Sequence, residues 1–435
     1  MTLTRELFRL VSSKPISDSD LQNARYYVLD WLGSYLAGGV TPQGKILRRY
    51  DAHLDSDSLL QRTFKTGALS HITETDDLHR ASVTHPACVV IPVALQLARH
   101  LKKPAEDMLR SVLIGYEIML RVGESLGTEH YKTFHNTSTA GVFGAAASAA
   151  ALLDLDEEQW VWALGNAGTQ AFGLWQFNLD ATMSKHLHAG QAAEAGLKAA
   201  LLAKQGFTGT EEILEGEKGF YRGFCRNPIP DAVLRTTDTW KIAETSIKPY
   251  PSCRHTHPAI DAALTLRELL QESGKTAKDI ASIDISTYQT SIRVTDNSNP
   301  LTTFAAKFSI QYCVSTALVF GYPQLQDFEG EVIHHRDIRK LMSITHVSEG
   351  EEFENAYPSS WGSSIRLSIA DGTSVMSSKV AAKGDPEHVM DLHEIRTKVF
   401  GQMNYANIPS ADHQKLWDEF GFSSTLASIP KLYWD

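Results

Sequence analysis

The chain has little cysteine and no cysteine pairing pattern. Cys88, Cys225, Cys253 and Cys313 are scattered over 435 residues, and none belongs to a C-x-x-C pair. This excludes a disulfide-framed scaffold and fits a reducing compartment, so a cytoplasmic protein is expected. Long apolar runs are also missing. The nearest, Thr139–Leu153, is broken by Gly141, Gly144 and Ser148, so no transmembrane helix and no membrane partner are expected. The start, MTLTRELFRLVSSKPIS, has no apolar core followed by small residues, and no signal peptide is expected. Positive charge is in deficit, with 41 Lys and Arg against 51 Asp and Glu, a formal net charge of -10. A nucleic-acid partner needs a broad basic face and is excluded; a small anionic ligand in a locally basic pocket is not. Nor is there a G-x-x-x-x-G-K-[ST] loop, a G-x-G-x-x-G after a strand, a G-x-S-x-G elbow or H-E-x-x-H. Nothing therefore points to nucleotides or to serine hydrolysis.

What is present is an ordinary globular composition, 43% hydrophobic and 21% charged, in a chain too long for one core. The first half reads as helices. Asp18–Gly38 has an acidic start, apolar residues three and four apart and a terminal glycine. Val89–Leu101, started by the Pro92 region, Pro104–Gly127, the Ala/Gly-rich Thr139–Leu153 and Gln191–Gln205 follow. The Pro-rich KPYPSC at Lys248 changes the character. After it, His257–Ser273 and Thr303–Phe320 read as helices. Ile280–Tyr288 alternates, and Ile365, Leu367 and Ile369 alternate up to Asp371-Gly372, a hairpin signal. From Asp391 the pattern is helical again. The expectation is a mainly α chain with a smaller α+β domain: residues 1–247 and 386–435 form a helical domain completed by the C-terminus, and 248–385 form an α+β domain.

Four segments concentrate polar chemistry. Ser70–Pro86 carries Glu74, Asp76, Asp77, His71, His79, Arg80 and His85 between two helices. Histidine is a natural general acid or base, and a nearby carboxylate can orient it; the same acids could equally cap helices. Phe134-His135-Asn136-Thr137-Ser138-Thr139 precedes the Ala/Gly helix, where its hydroxyls would cap and His135 would be held neutral and basic. Ser184-Lys185-His186-Leu187-His188 opens the Gln191 helix; Lys185 would clamp a carboxylate or carry a proton, and His186 and His188 would face one way if that segment were extended. Lys248–Pro258 places Lys248, Arg254, His255 and His257 in a stiff loop at the domain boundary, with Arg254 suited to a bidentate carboxylate grip. A metal set of Asp76, Asp77, His79 and His85, hence a metal-dependent hydrolase, is a rival reading without a recognised ligand spacing.

Taken together and in order, S-H-x-x-E-x-D-D-L-H…T-H-P (Ser70–Pro86), F-H-N-T-S-T-A-G (Phe134–Gly141), S-K-H-L-H-A-G-Q-A-A (Ser184–Ala193), K-P-Y-P-S-C-R-H-T-H-P (Lys248–Pro258) and A-K-F-S-I-Q-Y (Ala306–Tyr312) resemble the MmgE/PrpD family. That family includes 2-methylcitrate dehydratase, cis-aconitate decarboxylase and iminodisuccinate epimerase. The resemblance implies a homodimer, no metal, no organic cofactor, and an active site between the two domains. It implies a lyase that moves a proton alpha to a carboxylate of a small di- or tricarboxylic acid, or an epimerase that reprotonates on the opposite face. Carried over by motif, the catalytic positions are Glu74, His85, His135 and Lys185. Asp76, Asp77, His79, Arg80, Lys248, Arg254 and His255 are the substrate-binding candidates. His135 or His85 would be the base, and Glu74 would orient a histidine. Family members often have Asp where this chain has Glu74 and Thr where it has Leu78, and S-K-H-L-H-A-G is closer to the decarboxylase and epimerase branch.

Overall fold

The computed structural model describes residues 2–54, 58–180, 182–422 and 434. The chain is mainly helical with a smaller sheet-containing part. It divides into two compact units: Met1–Ile247 with Asp391–Asp435, and Lys248–Met390. Among the described residues, no helix is long and apolar enough to cross a membrane.

The first unit is built from α1 (Asp18–Val40), α2 (Leu59–Ser70), α3 (Ala87–Leu101), α4 (Ala105–Ser125), α5 (Gly141–Leu152) and α6 (Ser184–Lys204). α1 opens on a capping box: the Asp20 carboxylate accepts from the Ser17 backbone N–H at 2.8 Å, and the Ser17 hydroxyl accepts from that of Asp20. The Ala/Gly helix α5 is almost wholly buried. Small residues let its neighbours approach closely. A Cβ at Gly196 of α6 would lie 2.6 Å from the Val142 carbonyl oxygen. Two helices follow the second unit among the described residues, Leu392–Tyr405 and Ser410–Phe422; the first of them, the C-terminal helix that packs most extensively on α1, returns the chain to this unit. Among the described residues, this unit also holds a two-residue ladder of β1 (Leu78–His79) with antiparallel β2 (Thr245–Ser246).

Two local expectations are corrected. α3 begins at Ala87, with Pro92 inside it rather than at its start. The Ala87 N–H finds the Asp77 carboxylate at 3.0 Å, so the helix opens there. α6 begins at Ser184, not Gln191. Lys185, His186 and His188 therefore sit on a helix, and the extended segment that would have aimed both histidines one way does not exist.

The second unit has a four-stranded sheet in the order β4-β3-β5-β6, formed by β3 (Ile280–Thr287), β4 (Thr345–Glu349), β5 (Ser363–Ile369) and β6 (Ser374–Lys379). β3 and β4 run parallel; the other pairs are antiparallel. The hairpin at Asp371-Gly372 forms, with Gly372 at φ +88, a conformation glycine takes without strain. Ile283, Ile285, Ile365 and Leu367 are buried on one face with α7 (His257–Glu272) and α8 (Ile310–Phe320). The expected single helix Thr303–Phe320 is two. It breaks at Phe308–Ser309, where the Ser309 hydroxyl caps α8 by accepting from the Tyr312 N–H at 3.1 Å.

Candidate active site

The loop between α2 and α3 carries the densest set of ionisable side chains in the first unit. Asp76 is fully buried, and its Oδ2 lies 2.6 Å from His71 Nδ1 and 3.6 Å from His85 Nδ1. His85 Nδ1 is also 2.6 Å from the Asp77 carbonyl oxygen. A carbonyl only accepts, so Nδ1 carries the proton, and in the neutral ring the lone pair is on Nε2. The His85 side chain is 12% exposed, against 0% for His71. His71 Nε2 is buried with no hydrogen-bond partner among the described residues.

His135 comes from the neighbouring loop. Its backbone N–H donates to the Gly173 carbonyl at 2.9 Å. Its ring lies 5.7 Å from that of His71, stacked at 17°, and the two Nδ1 atoms of His135 and His188 are 3.3 Å apart. The two loops are tied together: Thr137 Oγ1 accepts from the His85 N–H at 3.1 Å, and the Asn136 amide donates to the Ser82 carbonyl at 2.8 Å. Burial, followed by the charges of His71, Lys185, His188 and His85, lowers the His135 pKa well below the ordinary histidine value. His186 is brought down to about 3 and His188 to about 4, in both cases first by burial and then by His71. All three are neutral imidazoles at pH 7.

The helical start of α6 brings in Lys185, whose Nζ pairs with the Glu74 carboxylate, both side chains 4% exposed. Glu74 thus bonds a lysine, where the sequence expectation had it orienting a histidine. Glu74 itself has φ +59, in the left-handed region that residues with side chains rarely adopt.

The remaining loop candidates do not converge here. Asp77 is spent on structure: Oδ1 accepts from the Ala87 N–H at 3.0 Å and Oδ2 from the Tyr116 hydroxyl at 2.8 Å. Burial holds its pKa well above the carboxylate range. His79 turns to a different group, 3.6 Å from both Glu124 and Glu244, with Nδ1 accepting from the Ser82 N–H. Lys241 already sits between those two acids at 2.8 and 2.9 Å. Asp76, Asp77, His79 and His85 therefore do not form one ligand set. His71, Asp76 and Cys88 do have donor atoms close enough to hold a cation. Burial, then Asp76 and Asp77, raises the Cys88 pKa, which opposes the thiolate a metal would need. Arg80 is half-buried at the edge of the loop.

In the second unit, Lys248 is fully buried. Arg254 pairs with Asp385. His255 stacks on Trp361 at 4.3 Å and hydrogen-bonds Tyr288 through Nδ1, and burial followed by Arg254 lowers its pKa to about 3. Arg254 and His255 are thus built into the interior of that unit.

Two family models cover most of the chain. The MmgE/PrpD N-terminal domain matches residues 6–232 and the MmgE/PrpD C-terminal domain matches residues 250–416. The chain belongs to the MmgE/PrpD family. Among MmgE/PrpD relatives, it is 27% identical to human cis-aconitate decarboxylase over 75% of this chain and 72% of that one. It is 27% identical to Escherichia coli 2-methylcitrate dehydratase over 79% of this chain and 74% of that one. With a cis-aconitate decarboxylase-like protein of Aspergillus oryzae the identity is 24%, over 91% and 89%.

Of the MmgE/PrpD motif residues singled out in the sequence, the first unit gathers Glu74, Asp76, His85, His135 and Lys185. It adds His71 and His188, which the sequence reading passed over as site residues. His71 could have been found, because it stands five residues before Asp76 across a short turn. His188 could not, since its approach to His135 depends on where α6 starts.

Proposed function

We propose that this MmgE/PrpD chain is a lyase acting on a small di- or tricarboxylate by proton transfer alpha to a carboxylate, with His85 as the proton carrier. The observation that carries this reading is the His85 ring. Nδ1 is committed to the Asp77 carbonyl, Nε2 holds the lone pair, and the Asp76 carboxylate is 3.6 Å away to offset the charge that proton uptake creates. Lys185, paired with Glu74, is suited to a substrate carboxylate and to the negative charge that builds up on it as the alpha carbon reacts. His135, neutral at pH 7, supplies a hydrogen bond rather than a charge.

Two outcomes share this step. In dehydration, Nε2 takes the alpha proton, the C–H electron pair becomes the double bond, the C–O bond at the neighbouring carbon breaks, and the hydroxyl leaves as water with the proton returned by the imidazolium. In decarboxylation the transfer runs the other way: Nε2 first takes a proton from solvent, the bond to a carboxylate breaks, CO2 leaves, and the carbon that keeps the pair takes that proton from the imidazolium. The names of the relatives favour these two outcomes. Epimerisation by the same abstraction and reprotonation on the opposite face is the alternative that the S-K-H-L-H-A-G segment suggests. A homodimer, testable by light scattering, and a cytoplasmic setting belong to the same proposal. The four free cysteines support a reducing compartment.

Proton NMR of the protein in D2O with cis-aconitate, 2-methylcitrate and iminodisuccinate, each separately, tests the reading. Itaconate or methylaconitate is the expected product. Deuterium entering iminodisuccinate with loss of stereochemistry would replace the lyase with the epimerase. No product and no exchange from any of the three would overturn the proposal.

A further inference from the structure

Glu74 pairs with Lys185, and Asp76 bonds His71 and faces His85. A single residue, Thr75, separates them. Its backbone decides where both carboxylates point, and Glu74 before it is in a rarely adopted conformation, φ +59. Thr75 is held from three directions. Its hydroxyl lies 2.6 Å from that of Thr73 and 2.8 Å from that of Ser34 on α1. Its carbonyl accepts from Lys398 Nζ at 2.7 Å, a residue of the C-terminal helix 323 positions away. Lys398 Nζ is in turn fixed by the Asp30 carboxylate of α1. Asp30, Ser34, Thr73, Thr75 and Lys398 are all buried.

We propose that Lys398, anchored by Asp30, is a positioning residue for the site. It clamps the peptide that follows Thr75, and so aims Glu74 at Lys185 and Asp76 at the two histidines. An ion pair that only joined α1 to the C-terminal helix would have no need to reach the Thr75 carbonyl. That contact ties the end of the chain to the loop that bears the chemistry. The inference rests on the reading of His85 and Lys185 as working groups.

The test uses the full-length double variant D30N/K398M, which removes both charges together and leaves no unpaired buried ion. Its readouts are kinetics and the nitrogen-15 histidine spectrum. The His71 Nδ1–H resonance, set by the bond to Asp76, is expected to shift or broaden. At unchanged KM, kcat is expected to fall by roughly tenfold to a hundredfold, as it does for misplaced groups, while K398R recovers much of it. Ser34→Ala keeps the ion pair and cuts one tether of Thr75; it should shift the same resonance less, and it serves if the double variant does not fold. An unmoved His71 resonance in a folded variant overturns the positioning role, whatever the substrate is. A moved resonance in a protein that turns over none of the three acids upholds the positioning and instead removes the functional reading.

Discussion

Lys185 donates to Glu74 across 111 positions of sequence, and each side chain is only 4% exposed. Replacing Lys185 with methionine leaves a carboxylate deep in the protein without its cation. A loss of about 3–5 kcal/mol of stability is expected, the usual cost of breaking a buried pair. The double variant E74Q/K185M should recover most of that stability in urea denaturation but none of the turnover. Recovery of turnover would show that the pair is structural only.

His85→Asn should lower kcat by about a hundredfold to ten-thousandfold, the range for a general acid or base. Because the ring is partly exposed, the thermal midpoint should move by only a few degrees. His71→Asn is expected to differ, since its ring is fully buried on Asp76: it should lose stability as well as activity.

Acid stability follows from the buried imidazoles. His186 and His188 in the first unit titrate at about 3 and about 4, and His255 in the second at about 3, all below the unfolded value. The unfolded chain therefore binds protons first. Stability is complete above the unfolded histidine pKa of about 6.5 and is lost as pH falls toward about 4. Urea midpoints measured from pH 4 to 8 should rise and then level near pH 7. His255→Gln should flatten that rise; an unchanged slope would mean His255 does not contribute to it.

Gly196→Ala should destabilise the protein even though alanine favours helix. The added methyl would meet the Val142 carbonyl at 2.6 Å and Ala145 Cβ at 2.4 Å, so α5 must yield. Overpacking of this kind costs about 1–3 kcal/mol, more than the propensity gain of about 1. Gly223→Ala, in the helix Phe220–Phe224 where nothing lies within 4 Å, is the matched control and should be neutral to stabilising by up to about 1 kcal/mol in the same denaturation assay.

Much of this was legible in the chain because it depends on local pattern. α1, α3, α4, α5 and α6 announced themselves by apolar spacing and end signals, with the starts of α3 and α6 misplaced, while α2 (Leu59–Ser70) went unread. The β5–β6 hairpin announced itself by Asp371-Gly372 between alternating runs. β4 went unread because Thr345–Glu349 lies at the sheet edge with little burial, and its polar residues carry no alternation. The site was legible as composition but not as pairing. Glu74 with Lys185, His79 with Glu124 and Glu244, and Lys398 with Thr75 are long-range contacts, and sequence spacing fixes neither member's partner. Asp77 looked identical to Asp76 in the sequence, yet one anchors a helix start and the other serves two histidines. What separates them is that their side chains leave the backbone in different directions.

The first unit begins with residue 1 but is not finished until the stretch from Asp391 arrives. During synthesis, α1 must wait, with the face that will receive the C-terminal helix uncovered, while the ribosome makes all of Lys248–Met390. Translation at about 5–20 residues per second makes that a delay of many seconds. The uncovered face of α1 is thus open to holdase chaperones until the stretch from Asp391 has emerged. A message truncated near codon 390 would yield a fragment that aggregates instead of one that is merely inactive.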